Sequence, residues 1–481
     1  MTLAPCCSRV TAPALLASLL AGSPQARAQA SADGDEHAHP TDAVMLGEWA
    51  VRPMIQLRTQ GEIRRNPFDV GGLQAPATAS FLPADLRGPR VQDQWFVFSR
   101  ARLGIDADRG PVRAVVQLQD ARAWGETSPL QIDSRGAMPT THAFQAFAEL
   151  HEAGPQPSFV RLGRQQIVWG DGRLLGGSDW SPTARSFDAV RGLLVFGSFD
   201  FEAFASLLSA PGALPVELRR GDGDVPEGIG GQLYGARVAW HLSPLLTAEA
   251  QGLARVVREP TLATVAPSDV IATGLRLAGA YPPLTYSVEG IFEFGESAVV
   301  RDTKDLRAFA GAARVAWDTA LPWNLTLGAQ GAYATGQGKS LSEDEVSRFD
   351  PMFPDVRTAH GAMGLYAWSN LIEGAGWVDL SFWHESMVTF AYRYVGLAEP
   401  TDSWQTAALV PIGSDPSNAA RTVGHELDAS LALSPWAPVA VVAGYGAFFT
   451  GQGGKNILAS AGRGRPELQH YGYVQATVHM P

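Results

Sequence analysis

The sequence predicts an all-β protein, a transmembrane antiparallel β-barrel of 18 strands with short periplasmic turns and long external loops. Three observations carry this prediction. Apolar and polar residues alternate through segments of about 10–12 residues, the length of a tilted membrane strand. Short and long connections alternate between those segments, as they do in outer-membrane barrels. Beyond the N-terminus no apolar run approaches the ~20 residues of a spanning helix, and the most apolar stretch, 439–449, is interrupted by Gly444 and Gly446.

The chain divides into a signal peptide (1–30), a flexible polar tail (31–46) and a single barrel domain (47–481). Arg9 precedes an apolar core at 11–22, and the small residues Ala26, Ala28 and Ala30 follow as cleavage positions. The core is too short to span a bilayer as a helix. The two cysteines, Cys6 and Cys7, precede that core, so a disulfide framework and a cysteine zinc site are excluded from the exported chain. With 46% hydrophobic and 18% charged residues the chain is too apolar for disorder. A net charge of −11 argues against a nucleic-acid partner.

Strands are expected near 48–60, 95–107, 111–122, 142–151, 157–166, 186–197, 200–208, 231–241, 246–256, 270–281, 284–295, 306–318, 323–334, 376–384, 387–396, 422–433, 439–450 and 470–480. In the second, Leu103 and Ile105 oppose Arg102 and Asp106; in the third, Val116 and Leu118 oppose Gln117 and Gln119. In the last, Val474, Ala476 and Val478 oppose Gln475 and Thr477. Trp95, Tyr281, Trp317, Trp323, Tyr333 and Phe449 stand at strand ends, where interfacial girdles form. Short connections at 107–111, 197–200, 241–244, 282–283 and 434–438 fall between long polar ones such as 167–185, 335–375 and 397–421. An even strand number puts both termini on the periplasmic side, so 358–368 is read as loop. The final Met480-Pro481 departs from the aromatic ending usual in such barrels.

The segment 161–191 resembles the signature of the bacterial alginate-export family of outer-membrane channels. It carries Leu162-Gly163-Arg164-Gln165, Gly170-Asp171, Asp179-Trp180 and Arg185-Ser186-Phe187-Asp188. The segments Phe349-Asp350-Pro351-Met352-Phe353-Pro354 and Gly424-His425-Glu426-Leu427-Asp428 also resemble that family. The resemblance implies a barrel in the bacterial outer membrane that exports an anionic, alginate-like exopolysaccharide. Its partners would be that polymer, outer-membrane lipid and periplasmic polysaccharide-synthesis or export proteins. The alternative is an outer-membrane porin for uptake of small anionic or neutral solutes; a third reading is a secreted β-rich binding protein.

The lumen chemistry is legible apart from the resemblance. Of 37 basic residues only Lys304, Lys339 and Lys455 are lysines. Many arginines fall on the polar parity of strands, and a guanidinium fork can pair with a carboxylate at two points. Arg100, Arg102, Arg113, Arg161, Arg164, Arg173, Arg185 and Arg191 are therefore the expected pore-lining path. The competing reading is that these arginines brace the wall against acids such as Asp106 and Glu149. If loop 167–185 folds inward, Gly170, Gly172, Gly176 and Gly177 permit a tight path and Arg173 reaches a constriction; otherwise it is a surface loop. Scattered histidines, His425-Glu426 without a second histidine four residues on, and the lack of G-x-S-x-G give no catalytic site. Neither a cofactor nor a metal is expected, and the Asp/Gly runs at 170–172 and 221–224 are read as turns, with loop calcium the lesser alternative.

Overall fold

The computed structural model describes residues 43–67, 93–125, 140–152, 158–208, 231–257, 267–299 and 302–480, apart from 320, 322–323, 339–343, 356, 358, 383–385, 408, 410 and 437. The expected signal peptide, Trp323 and the 221–224 turn lie outside the described residues.

Eighteen long strands are present among the described residues. They are β1 (Trp49–Arg65), β2 (Gln94–Arg109), β3 (Val112–Gly125), β4 (Thr140–His151), β5 (Phe159–Gln165), β6 (Phe187–Phe196), β7 (Phe199–Leu207), β8 (Gly231–Ser243) and β9 (Leu246–Val257). The second half comprises β10 (Ser268–Tyr281), β11 (Leu284–Val299), β12 (Asp302–Asp318), β13 (Leu325–Ala334), β14 (Leu371–Ser381), β15 (Met387–Gly396), β16 (Thr422–Trp436), β17 (Val439–Thr450) and β18 (Leu468–Met480). Each pairs antiparallel with its neighbour in sequence, and β1 pairs with β18 from Ile55↔Met480 to Arg65↔His470. That last ladder closes the barrel and leaves its long strands without a free edge. No described helix is long and apolar enough to cross a membrane.

The alternation sets the faces. Leu103, Val116, Leu275 and Val474 are 56, 53, 68 and 56% exposed, whereas Arg102, Gln117, Arg276 and Gln475 beside them are buried. Apolar side chains thus face lipid and polar ones the lumen. Trp95, Tyr281, Trp317, Tyr333 and Phe449 are all exposed, as girdle residues should be. Several boundaries move outward. β14 starts at Leu371, five residues before its expected start, and pairs with β13 through Gly374, a glycine that reads as loop in the sequence. Val44–Leu46, in the expected tail, forms a short strand on 49–51.

Long external connections turn into the barrel. The 166–186 segment, here called the strap, contributes Ile167, Trp169, Leu174, Leu175 and Trp180 to a buried apolar cluster. Phe349, Met352, Leu365 and Trp368 of the 344–370 connection join it, as do Trp404 and Ile412 of the next loop. The described part of 358–368 contains no strand, in keeping with the even count. A short helix, α1 (Gln452–Ser460), buries Ile457 and Leu458 in the last external loop. The lumen is therefore packed with aromatic as well as polar groups. The signal was present where alternation lapses: in 95–98 (WFVF), Trp95 faces out while Phe96 and Phe98 are buried inward.

A lumenal arginine–carboxylate lattice as the candidate functional site

The lumen-facing charges form two arrangements. The first is a ladder around the wall, one residue per strand. On β1–β5 it runs Arg52, Asp106, Arg113, Glu149, Arg161. Arg113 forks Asp106 at 3.0 and 3.1 Å and lies 3.8 Å from Glu149. Arg52 reaches Asp106 at 3.5 Å, and Arg161 holds Glu149 at 2.6 Å. On β6–β10 the series is Arg191, Glu202, Arg237, Glu249, Arg276. Glu202 accepts from Arg191 at 2.9 Å, from Arg237 at 2.8 Å and from the indole of Trp169 at 2.9 Å. Arg276 meets Glu249 at 3.1 Å. The two series join at a like-charged pair, since Arg161 and Arg191 are cross-strand partners. Both guanidiniums lie over the Phe159 ring, at 4.8 and 5.4 Å from its centroid, which offers its negative face to each.

The second arrangement ties the strap to the wall. Asp179 lies on the strap, and the guanidiniums of Arg58 (β1), Arg100 and Arg102 (β2) converge on it. Arg100 donates Nη1 to Oδ1 at 2.8 Å and Nη2 to Oδ2 at 3.0 Å, a two-point fork. Arg102 donates to Oδ1 at 2.9 Å, and Arg58 lies 3.4 Å from Oδ2. Gln56 and Gln119 orient the forks by accepting from Arg100 at 2.8 Å and Arg102 at 2.7 Å. Burial alone would raise the Asp179 carboxyl; Arg100, Arg102 and Arg58 outweigh it and hold the group well below the usual carboxylate range.

At the other end of the strap, Asp171 accepts from Arg276 of β10 at 2.8 Å. Burial again opposes ionisation, and Arg276 with Arg173 hold the carboxyl low. β1 and β10 stand half the ring apart, so the strap crosses the bore from wall to wall. The 349–355 segment runs beside it. Gly176 N donates to Phe353 O, Phe353 N to Leu174 O, and Asp355 N to Gly172 O, at 2.8–3.1 Å. A Cβ on Gly176 would lie 2.6 Å from Asp355 N, so only glycine permits this approach. Asp350 pins the segment to Arg255 of β9 at 2.6 Å.

The structure thus separates the expected arginines. Arg100 and Arg102 meet the strap. Arg113, Arg161 and Arg191 belong to the wall ladder. Arg164 pairs with Asp188 at 2.5 Å at the outer end of β5 and β6, apart from both. Arg173 is buried on the strap, donating to Gln330 of β13 at 2.8 Å and lying over Trp368. Arg185 staples the strap by donating to the carbonyls of Gly176, Phe353 and Pro354. Of the acids that organise these groups, Asp106 and Glu149 were legible as wall-bracing partners. Asp179 and Asp350 stood in the sequence only as elements of the family signature, and Asp171 there and in an Asp/Gly turn; their placement beside glycine or aromatic residues in loops facing an arginine-rich wall was the available signal. The 170–172 turn directs its carboxylate to Arg276.

A closed 18-strand barrel with an apolar outer band, a charged lumen and infolded external loops is the architecture of an outer-membrane porin. The alginate-export family model matches residues 71–461, and the chain belongs to that family. Its fold is similar to that of Acinetobacter baumannii OccAB2 (10% identity, TM-score 0.54, covering 89% of this chain and 98% of that one). It is also similar to Pseudomonas aeruginosa OccK8 (OprE) (11%, 0.54, covering 90% and 98%) and OpdQ (10%, 0.53, covering 90% and 98%). None of the curated proteins matches the sequence.

Proposed function

We propose that this protein is an outer-membrane channel that exports an anionic, alginate-like exopolysaccharide. The observation that carries the reading is the convergence of Arg58, Arg100 and Arg102 on one lumenal carboxylate. A wall that holds Asp179 by a fork and two further donors has the chemistry to hold a uronate carboxylate. Family membership supports the same direction of use. Arg100 and Arg102 on the wall, with Arg173 and Arg185 on the strap, form the core of the path; Arg113, Arg161 and Arg191 chiefly brace the wall behind it, and Arg164 borders its outer end. Periplasmic synthesis and export proteins would deliver the polymer to the inner mouth, and no catalytic step is assigned to the chain.

The test is efflux from proteoliposomes loaded with labelled oligouronate and with neutral dextran of equal length. Oligouronate should escape and dextran should remain. The second reading, a porin for small solutes, is favoured by the strap itself, which divides the bore. Retention of both polymers with release of small organic acids would establish it and overturn the first.

A further inference from the structure

We propose that Asp179 is a built-in stand-in for a carboxylate of the transported polymer, and that the strap is released when a polymer carboxylate takes its place. The inference rests on the export reading and adds a latch to it.

The contacts that hold this end of the strap are those an anionic sugar acid could replace. Arg58, Arg100 and Arg102 converge on the Asp179 carboxylate. Arg58 also donates to the carbonyls of Asp179, Trp180 and Ser181, and Gln119 donates to that of Thr183 at 2.8 Å. A uronate presents a carboxylate with hydroxyl and ring oxygens close by, the same set of acceptors. The opposite half of the strap has an arginine–carboxylate pair of its own, Asp171 with Arg276, but adds backbone hydrogen bonds to 353–355 and the Arg185 staple, which a polymer carboxylate cannot replace. Ser178 (φ 49) and Ala184 (φ 53) bound the 179–183 segment, and both are non-glycine residues in left-handed backbone. Such a conformation persists only while surrounding contacts impose it. Trp180, packed against Tyr473 and donating to Glu62 at 3.1 Å, is the pivot about which the segment turns.

The latch distinguishes a polymer from its monomer. Asp179 is tethered, so its effective concentration at the arginines is of millimolar order or higher. A single free acid must exceed that to displace it. A polyuronate brings many linked carboxylates and gains ~10²–10⁴ in avidity over one of them. The arginine charge alone would admit small anions and polymer alike; competition with Asp179 supplies the preference for length.

The full-length protein in planar bilayers tests this, with galacturonic acid and a long oligogalacturonate as probes. In the wild type, oligogalacturonate should change conductance at a total carboxylate concentration at least ~100-fold below that needed for galacturonic acid. Asp179→Asn should conduct more without either probe and lose that ratio, while Asp179→Glu should keep it. Heat-modifiable migration reports whether each variant has folded. Gln119→Ala, which removes the Thr183 anchor and the acceptor that orients Arg102 and leaves the Asp179 carboxylate in place, provides a second reading if the Asn variant fails to insert; by loosening the hold on Asp179 from both sides it should lower the oligogalacturonate concentration required severalfold. Unchanged conductance and ratio in the folded variant or variants overturn the latch, and if oligogalacturonate still crosses, the export reading survives. A more conductive Asp179→Asn, with oligogalacturonate excluded from both proteins, overturns the polymer's part in the latch together with that reading.

Discussion

Arg113 sits between Asp106 of β2 and Glu149 of β4, with all three buried. Arg113→Gln leaves two carboxylates sharing Arg52 and Arg161, and breaking a buried pair in this way costs ~3–5 kcal/mol. Urea unfolding of the folded barrel should report that loss, with reversal potential in a salt gradient little changed. Arg100→Gln with Arg102→Gln also breaks buried pairs, to Asp179, but should in addition reduce anion preference because these two groups face the strap. Equal effects on selectivity from both sets would remove the distinction between ladder and latch.

His360, on the 344–370 connection, is a second residue with a readable consequence. Burial pushes its imidazole below the ordinary value, although Glu373 at 2.9 Å pulls the other way. As a neutral ring its Nδ1 donates to Glu373. The unfolded chain then takes a proton near pH 6.5, where the folded one does not. The His360 contribution to stability should be lost as pH drops from 7.5 through that region, and the difference between wild type and His360→Asn across that range, measured by urea titration, should show it. Asp171 and Asp179 do not contribute in this window. Their lowered carboxyls stabilise the fold above about pH 3.9 and lose that contribution only on further acidification.

At the scale of elements, each strand answers to two solvents. Val116 and Gln117 are neighbours on β3, one exposed to lipid and one facing the lumen. Val116→Arg should cost ~2–4 kcal/mol near the bilayer midplane, whereas Gln117→Arg should cost much less. Equal destabilisation, measured by urea titration in the same lipid, would reject the face assignment. The strap depends on a different constraint. Its passage against Asp355 leaves no room for a side chain at Gly176, and Gly172 adopts φ 71 beside it. These glycines were legible as a sign of a tight path. That the path crosses the bore rather than following one wall was not, because it depends on Asp171 and Asp179 finding arginines on opposite strands.

For the whole molecule, closure and orientation are the testable properties. β18 pairs with both β17 and β1, which closes the ring. With long loops outside, an exposed residue such as Ser417 in the 397–421 connection faces the medium, and Ser243 at the end of β8 faces the periplasm. In a chain whose only cysteines are Cys6 and Cys7, Ser417→Cys should react with an impermeant maleimide on intact cells and Ser243→Cys should not. Labelling of the latter would reverse the orientation.

The sequence by itself determined the strand number, the two faces of the wall and the alternation of turns and loops. Each of these is written in residues a few positions apart, through the two-residue pleat and through chain length against bilayer thickness. It also placed the arginines on the lumen side. Only the tertiary structure decided which carboxylate each arginine meets. Arg58 and Asp179 are 121 residues apart, and Arg276 and Asp171 are 105 apart. A guanidinium pairs with whichever acid closure of the ring and infolding of the loops bring within reach, and no local periodicity encodes that distance.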